Sequence, residues 1–171
     1  MIPATQKKLR EARFFLERLR QRDRVSLPAV DEFEFYLSAF LSAARSVTFA
    51  LHAEEKEKYV AWQPTWPTIL GPDDLALLVG MKQARNVAQK RGGVPVQVDW
   101  EFVPLTEAKR DEQGRPFYGF QWFGPVTAGL PKVGQPVHRF NLGKGEIEAT
   151  STCARYLDIL ERLVSDFVRR H

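Results

Sequence analysis

The sequence predicts a mainly α protein, an antiparallel four-helix bundle with a β-hairpin or three-stranded antiparallel insertion between helices 3 and 4. Apolar residues recur at three- and four-residue spacing in four separate segments, the pattern of helices that bury one face. Between the third and fourth segments the period drops to two, the pattern of a half-buried strand. Gly92 and Gly93 stand where the period changes, as glycines that end a helix do.

The first helix is expected over about residues 5–24, with Leu9, Ala12, Leu16 and Leu19 on one stripe that Phe15 broadens. "VSLPAV" interrupts it. The second, about 31–57, opens on Asp31 and Glu34 at the spacing of a capping box. Phe33, Leu37, Phe40, Ala44, Val47 and Leu51 form its large apolar stripe, and Ala39, Ala43, Ser46, Ala50 and Ala53 form a second stripe of small residues. A helix apolar on most sides lies either at the centre of a bundle or against a second copy of the protein. Trp62 and Trp66, in the proline-rich connector "YVAWQPTWPTILGP", are expected to cover one end of the bundle. The third helix, about 72–90, starts at Pro72 with Asp73 and Asp74 in its first turn, where the helix dipole favours carboxylates. Its arc of Leu77, Leu78, Met81, Ala84, Arg85 and Ala88 brings Arg85 onto the apolar side.

The β insertion covers about 94–142. Val94, Val96, Val98, Trp100 and Phe102 alternate with Gln97, Asp99 and Glu101, a strong strand signal. "FYGFQWF" at 117–123 reads as a second strand and "VHRFNL" at 137–142 as a third, with "GPVTAGLPKVGQP" a long loop. The last helix, about 149–170, carries Ala149, Cys153, Tyr156, Leu160, Leu163 and Phe167 on one stripe, and Arg169 and Arg170 at its end complement the dipole.

At 171 residues the chain reads as one domain over 1–171, and 44% apolar with 27% charged residues excludes a disordered class. The net charge of +4 gathers at the two ends, where such runs usually form solvated helix faces. The lone Cys153 allows no intramolecular disulfide and reads as a core thiol. No apolar run approaches membrane-spanning length and no signal segment opens the chain, so a soluble, cytoplasmic protein is expected. Phosphate-loop, nucleophile-elbow and His-Glu-x-x-His patterns do not occur, and His52, His138 and His171 are scattered. Neither a metal site nor a cofactor is expected.

"FYLSAFLSAARSVTFALHAE", followed by a helix bearing "QARNVAQK", resembles the HEPN superfamily of small four-helix bundles. The likeness covers about residues 5–90 and, more weakly, 149–168; the β segment lies outside it. It implies a homodimer and an association with RNA or a cognate protein partner, in a toxin–antitoxin or defence setting. Members that cut RNA without metal carry an Arg, commonly followed by Asn, and then a His a few residues on. Arg85-Asn86 matches the start of that motif, but the stretch that would supply the histidine reads "KRGG". Without an imidazole the acid–base step loses its usual carrier, a loss of roughly 10² to 10⁴ in rate. The resemblance therefore implies a binding protein without competent nuclease activity. The alternative is a metal-independent ribonuclease pairing Arg85 with Lys90 or His52, and a further one is a small-molecule binder with a pocket between sheet and bundle.

Arg85, Asn86, Lys90 and His52 are the candidate catalytic residues, and Arg45, Arg85, Asn86, Lys90 and Arg91 the candidate binding set. Arg45 and His52 lie seven residues apart and project from one side of the second helix, so together with Arg85 they would line a groove if helices 2 and 3 pack together. The structural reading of the arginines is that carboxylates such as Glu34, Asp73 and Asp74 satisfy them. The aromatics of the β segment (Trp100, Phe102, Phe117, Tyr118, Phe120, Trp122 and Phe123), with Arg115 and Arg139 nearby, offer base stacking as one reading and a second core as the other.

Overall fold

Helix α1 (Pro3–Arg22) begins on a proline, whose missing N–H costs nothing in the first turn. No side chain of its own caps it. The Glu54 carboxylate of α2 (Val30–Glu54) takes that place, accepting from the backbone N–H groups of Ala4 and Thr5 at 2.7 and 2.9 Å and from the Thr5 hydroxyl at 2.7 Å. Burial opposes ionisation of Glu54, and these hydrogen bonds outweigh it, holding the carboxyl below its ordinary range. At the opposite end Arg22 pairs with Glu32, so the two helices run antiparallel. The computed structural model describes residues 1–23, 29–104, 106–108, 110, 114, 132–142 and 145–171, without the side chains of Arg91, Lys132 and Val133.

Among these residues the chain continues through α3 (Lys56–Trp62), a 3₁₀ turn (Gln63–Thr65), α4 (Trp66–Ile69) and α5 (Pro72–Arg91). Strands β1 (Val96–Pro104), β2 (Lys132–Asn141) and β3 (Glu146–Glu148) follow, and α6 (Ala149–Arg170) closes the chain. The protein is mainly helical with a small three-stranded antiparallel sheet in the order β1-β2-β3. No helix among the described residues is long and apolar enough to cross a membrane.

The expected stripes supply the core. Leu9, Ala12, Leu16 and Leu19 of α1, Phe33, Leu37, Phe40, Ala44, Val47 and Leu51 of α2, and Ala149, Cys153, Tyr156, Leu160, Leu163 and Phe167 of α6 are all buried. Helix α2 packs against α1, α5, α6 and β1, and so takes the central place. It still leaves one side to solvent, where Phe35 is 69% exposed and Phe49 52%. The small-residue stripe divides between these environments: Ala43 is buried, Ala39, Ser46 and Ala50 are half-buried, and Ala53 is exposed.

Several boundaries differ from the expectation. The second helix does not run on to residue 57; Glu55 adopts φ −138° and ψ 51°, outside the helical region, and the chain restarts as α3. Asp31 and Glu34 do not form a capping box, because α2 starts at Val30 without a side-chain cap. Glu34 instead accepts from the Val96 N–H at 2.9 Å, tying α2 to the start of β1. The tryptophan connector is helical in short pieces. As expected, Trp62 and Trp66 are buried, edge-on to Tyr59, with Trp62 also edge-on to Phe167 at 5.1 Å.

In the sheet, residues 117–123 lie outside the described residues, and the partner of β1 is Lys132–Asn141, whose first half had read as loop. Gly134 and Pro136 produced that reading, and pairing explains both. A Cβ on Gly134 would stand 3.3 Å from the Phe102 ring, so the glycine admits the aromatic opposite it. Pro136 pairs with Trp100 at a level that β3 does not reach, since β3 pairs only with Arg139–Asn141. Val96 and Phe140 join the core, whereas Trp100 and Phe102 are 40% and 53% exposed.

Where α1 ends, His138 of β2 lies 1% exposed, its Nδ1 2.7 Å from Asp23 Oδ1. Its ring stacks on Phe33 at 3.9 Å between centroids with a 4° interplanar angle. Cys153 of α6 is fully buried, and burial followed by the nearby Asp23 charge pushes its thiol well above the ordinary range. At the other end Asp166 is buried and accepts from Trp62 Nε1 at 2.9 Å, Arg169 at 2.7 Å and Arg170 at 2.6 Å. Burial opposes ionisation here too, but the hydrogen bonds prevail and its pKa falls to about 2.

Phe33→Ala removes the ring beneath His138 and is expected to cost about 3–5 kcal/mol, read as a lower denaturant midpoint at unchanged slope. Asp166 has a folded pKa below its ordinary 3.8, so its contribution is complete above that value and is lost as the pH falls through about 2. Asp166→Asn should therefore give a shallower loss of stability than the parent across that interval, measured by urea unfolding at successive pH values.

Candidate functional site

Helix α5 presents the expected residues in its last two turns. Gly71 precedes Pro72 and the acidic pair Asp73 and Asp74 at its start, and Gly92 ends it in the left-handed region at φ 79°. Arg85 is half-buried on the side facing the helices, while Asn86 and Lys90 are exposed. The Arg91 side chain lies outside the described residues. Arg85 Nε is buried and has no hydrogen-bond partner among the described residues.

The carboxylates expected to satisfy Arg85 serve elsewhere. Asp74 holds Arg155 at 2.7 Å and Arg162 at 2.5 Å, bolting α5 to α6, and Glu34 holds the Val96 N–H. Asp73 is exposed at the far end of α5. The acidic residues of α5 are confined to its first turn, and Lys82 and Lys90 enter no ion pair among the described residues. The C-terminal half of α5 is thus a cationic surface with an unsatisfied guanidinium at its inner edge.

Arg45 and His52 gather around a different group. The Arg45 guanidinium donates to the Thr48 hydroxyl at 2.9 Å and lies 4.3 Å over the Phe49 ring. His52 meets Tyr59 edge-on at 5.1 Å. Burial raises the Tyr59 and Tyr156 hydroxyls against the opposing charge of Arg45, Tyr156 to about 12, so both phenols stay protonated at neutral pH. No hydrogen bond, ion pair or ring contact joins Arg45 or His52 to Arg85 among the described residues. The other histidines are also occupied, His138 with Asp23 and Phe33, and His171 against Phe167 at 4.8 Å.

Sequence reasoning assigned no residues to the cavity between α5 and the sheet, which encloses about 410 Å³. Its walls come from Gly80, Gln83, Ala84 and Val87 of α5, Val94, Pro95 and Gln97 around the start of β1, and Arg139 to Leu142 with Glu146 at the end of the sheet. The sequence signal was the i, i+3, i+4, i+7 spacing of those four α5 residues, which places them on one side of the helix. Arg139 is spoken for: its Nε lies 2.9 Å from Asp99 in an ion pair that is not aligned as a hydrogen bond, and its Nη2 donates to Glu101 at 2.7 Å. A second, more open hollow of about 600 Å³ between α1 and α6 is lined by charges of both signs, with Arg13 and Glu161 paired at 2.7 Å.

Since nothing among the described residues neutralises Arg85 Nε, its replacement removes no stabilising bond. Arg85→Met is expected to change the unfolding free energy by no more than about 1 kcal/mol, checked by thermal and denaturant unfolding. The chain matches no protein-family model, no curated protein and no solved structure.

Proposed function

We propose that the protein is a HEPN-like four-helix bundle, formed by α1, α2, α5 and α6 with the sheet inserted before α6, that binds single-stranded RNA as a homodimer without cutting it. Its setting would be a cytoplasmic toxin–antitoxin or defence system. The observation that carries this reading is Arg85: a half-buried side chain whose Nε has no hydrogen-bond partner among the described residues, beside exposed Asn86 and Lys90 on a helix half that bears no carboxylate. A half-buried guanidinium with no ion pair among the described residues gains from an anion brought to its accessible side, and a phosphate is such an anion. Lys82 and Lys90 extend the same charge along the helix, suited to tracking a phosphate backbone.

Binding without cleavage follows from the histidines. A proton carrier must reach the reacting atoms; His138 is buried against Asp23, and no hydrogen bond, ion pair or ring contact joins His52 or His171 to Arg85 among the described residues. The homodimer is supported by the open side of α2, where Phe35, Ser42 and Phe49 are exposed at seven-residue intervals.

The full chain is expected to bind a single-stranded RNA heptamer with an affinity that falls steeply with salt, and to leave it uncut in EDTA over hours. Each of Arg85→Ala and Lys90→Ala should lower the slope of log K against log salt by about 0.7, the value for one lost phosphate contact on a single strand. Metal-independent cutting that Arg85→Ala abolishes would establish the ribonuclease alternative, with Lys90 or His52 as its partner. A monomer at micromolar concentration by sedimentation would remove the dimer.

A further inference from the structure

We propose that the cavity between α5 and the sheet is a pocket for a nucleobase. The proposal rests on the RNA reading for one source of the base, and the cavity's own chemistry argues it independently. Its volume of about 410 Å³ falls within the roughly 300–1,000 Å³ of small-ligand sites. The floor is apolar, built by Ala84 and Gly80 of α5 against Phe140 and Leu142. At Gly80 a Cβ would make an ordinary van der Waals contact with Leu142 at 3.5 Å, so α5 lies close to that side chain along this wall.

The polar groups at the rim define the ligand. Gln83 and Gln97 bring carboxamides from a helix and a strand to one opening. A carboxamide sets a donor beside an acceptor, which is how the hydrogen-bonding edge of a base is read. Gln83 and Gln97 are exposed, and their carboxamides make no hydrogen bond among the described residues. An acyl chain has no use for these amides. A phosphate or carboxylate would find Arg139 already neutralised by Asp99 and Glu101, with Glu146 adding negative charge. What remains is a neutral, flat heterocycle that lies on the apolar floor and presents its polar edge to the rim. Lys90 follows Val87 by one turn on the same side of α5, placing a cation outside the mouth, where the phosphate attached to such a base belongs.

The test uses the intact chain with four probes: AMP, ribose 5-phosphate, a single-stranded RNA heptamer, and an abasic ribose-phosphate strand of equal length. AMP should bind at least about tenfold more tightly than ribose 5-phosphate, and the RNA at least about tenfold more tightly than the abasic strand, as expected for one stacked base. The double variant Gln83→Leu/Gln97→Leu should erase both preferences and leave abasic-strand binding unchanged. Both positions are exposed; Gly80→Leu, which fills the cavity, provides a second variant with the same expected result. If RNA and abasic strands bind equally and AMP does not bind, the pocket is overturned while the RNA reading stands. If AMP binds in a glutamine-dependent way and neither strand does, the pocket stands for free nucleotides and the RNA reading falls. Binding of none of the probes overturns both.

Discussion

The architecture depends on keeping one polar pair dry. Asp23 closes α1, His138 sits in the middle of β2, and Phe33 of α2 lies flat beneath the imidazole, all three at or near zero exposure. Taking an imidazole and a carboxylate out of water is unfavourable unless each satisfies the other, and here they meet at 2.7 Å. The elements that hold them cannot shift singly without stranding a polar group. The end of α1, the start of α2 and the centre of the sheet are therefore fixed together, with Cys153 of α6 close enough to feel the Asp23 charge. Ordinary apolar packing does the remainder: the stripes of α1, α2 and α6 enclose a core that Val96 and Phe140 complete from the sheet.

Long-range carboxylates organise the periphery in the same manner. Glu54 caps a helix begun fifty residues earlier, Glu34 receives the first amide of β1, Asp74 fastens two arginines of α6, and Asp166 collects the Trp62 indole with two terminal arginines. Glu54 and Glu34 bind backbone donors that local sequence leaves over, the first-turn amides of a helix without its own cap and the first amide of a strand, while Asp74 and Asp166 bind side-chain donors. The result leaves Arg85 without an acid among the described residues, because Glu34 and Asp74 are already engaged and Asp73 lies at the far end of α5.

This division marks what the sequence could disclose. Periodicity located the long helices and their buried faces, because burial on one side of a helix writes a 3.6-residue pattern into neighbouring residues. The stripe of α6 and the glycine stop of α5 were legible for that reason. The Asp23–His138 pair spans 115 residues and leaves no local pattern, so His138 read as one scattered histidine among three. Glu34 looked like a capping residue because spacing cannot reveal that a strand amide will arrive beside it. Gly134 and Pro136 read as loop, since only the register shows what stands opposite them. At the candidate site, the position of Arg85 on the inner side of α5 was legible, but the absence of a partner was not. The cavity wall needed both the helix face and the strand ends, which lie some sixty residues apart in the chain and meet only on folding.

The two junctions between sheet and helices are built differently. Between α5 and β1 stand Gly92 and Gly93, both at positive φ, a joint with little resistance to turning. Between β3 and α6 there is no loop at all: Glu148 ends the strand and Ala149 begins the helix. One side of the cavity is thus mounted on a pivot and the other on a lever. The β1 side is nonetheless held, because Glu34 accepts from the Val96 N–H and Val94 and Val96 are buried, while the β3 side runs straight into α6, whose far end carries Asp166 and the Trp62 cluster.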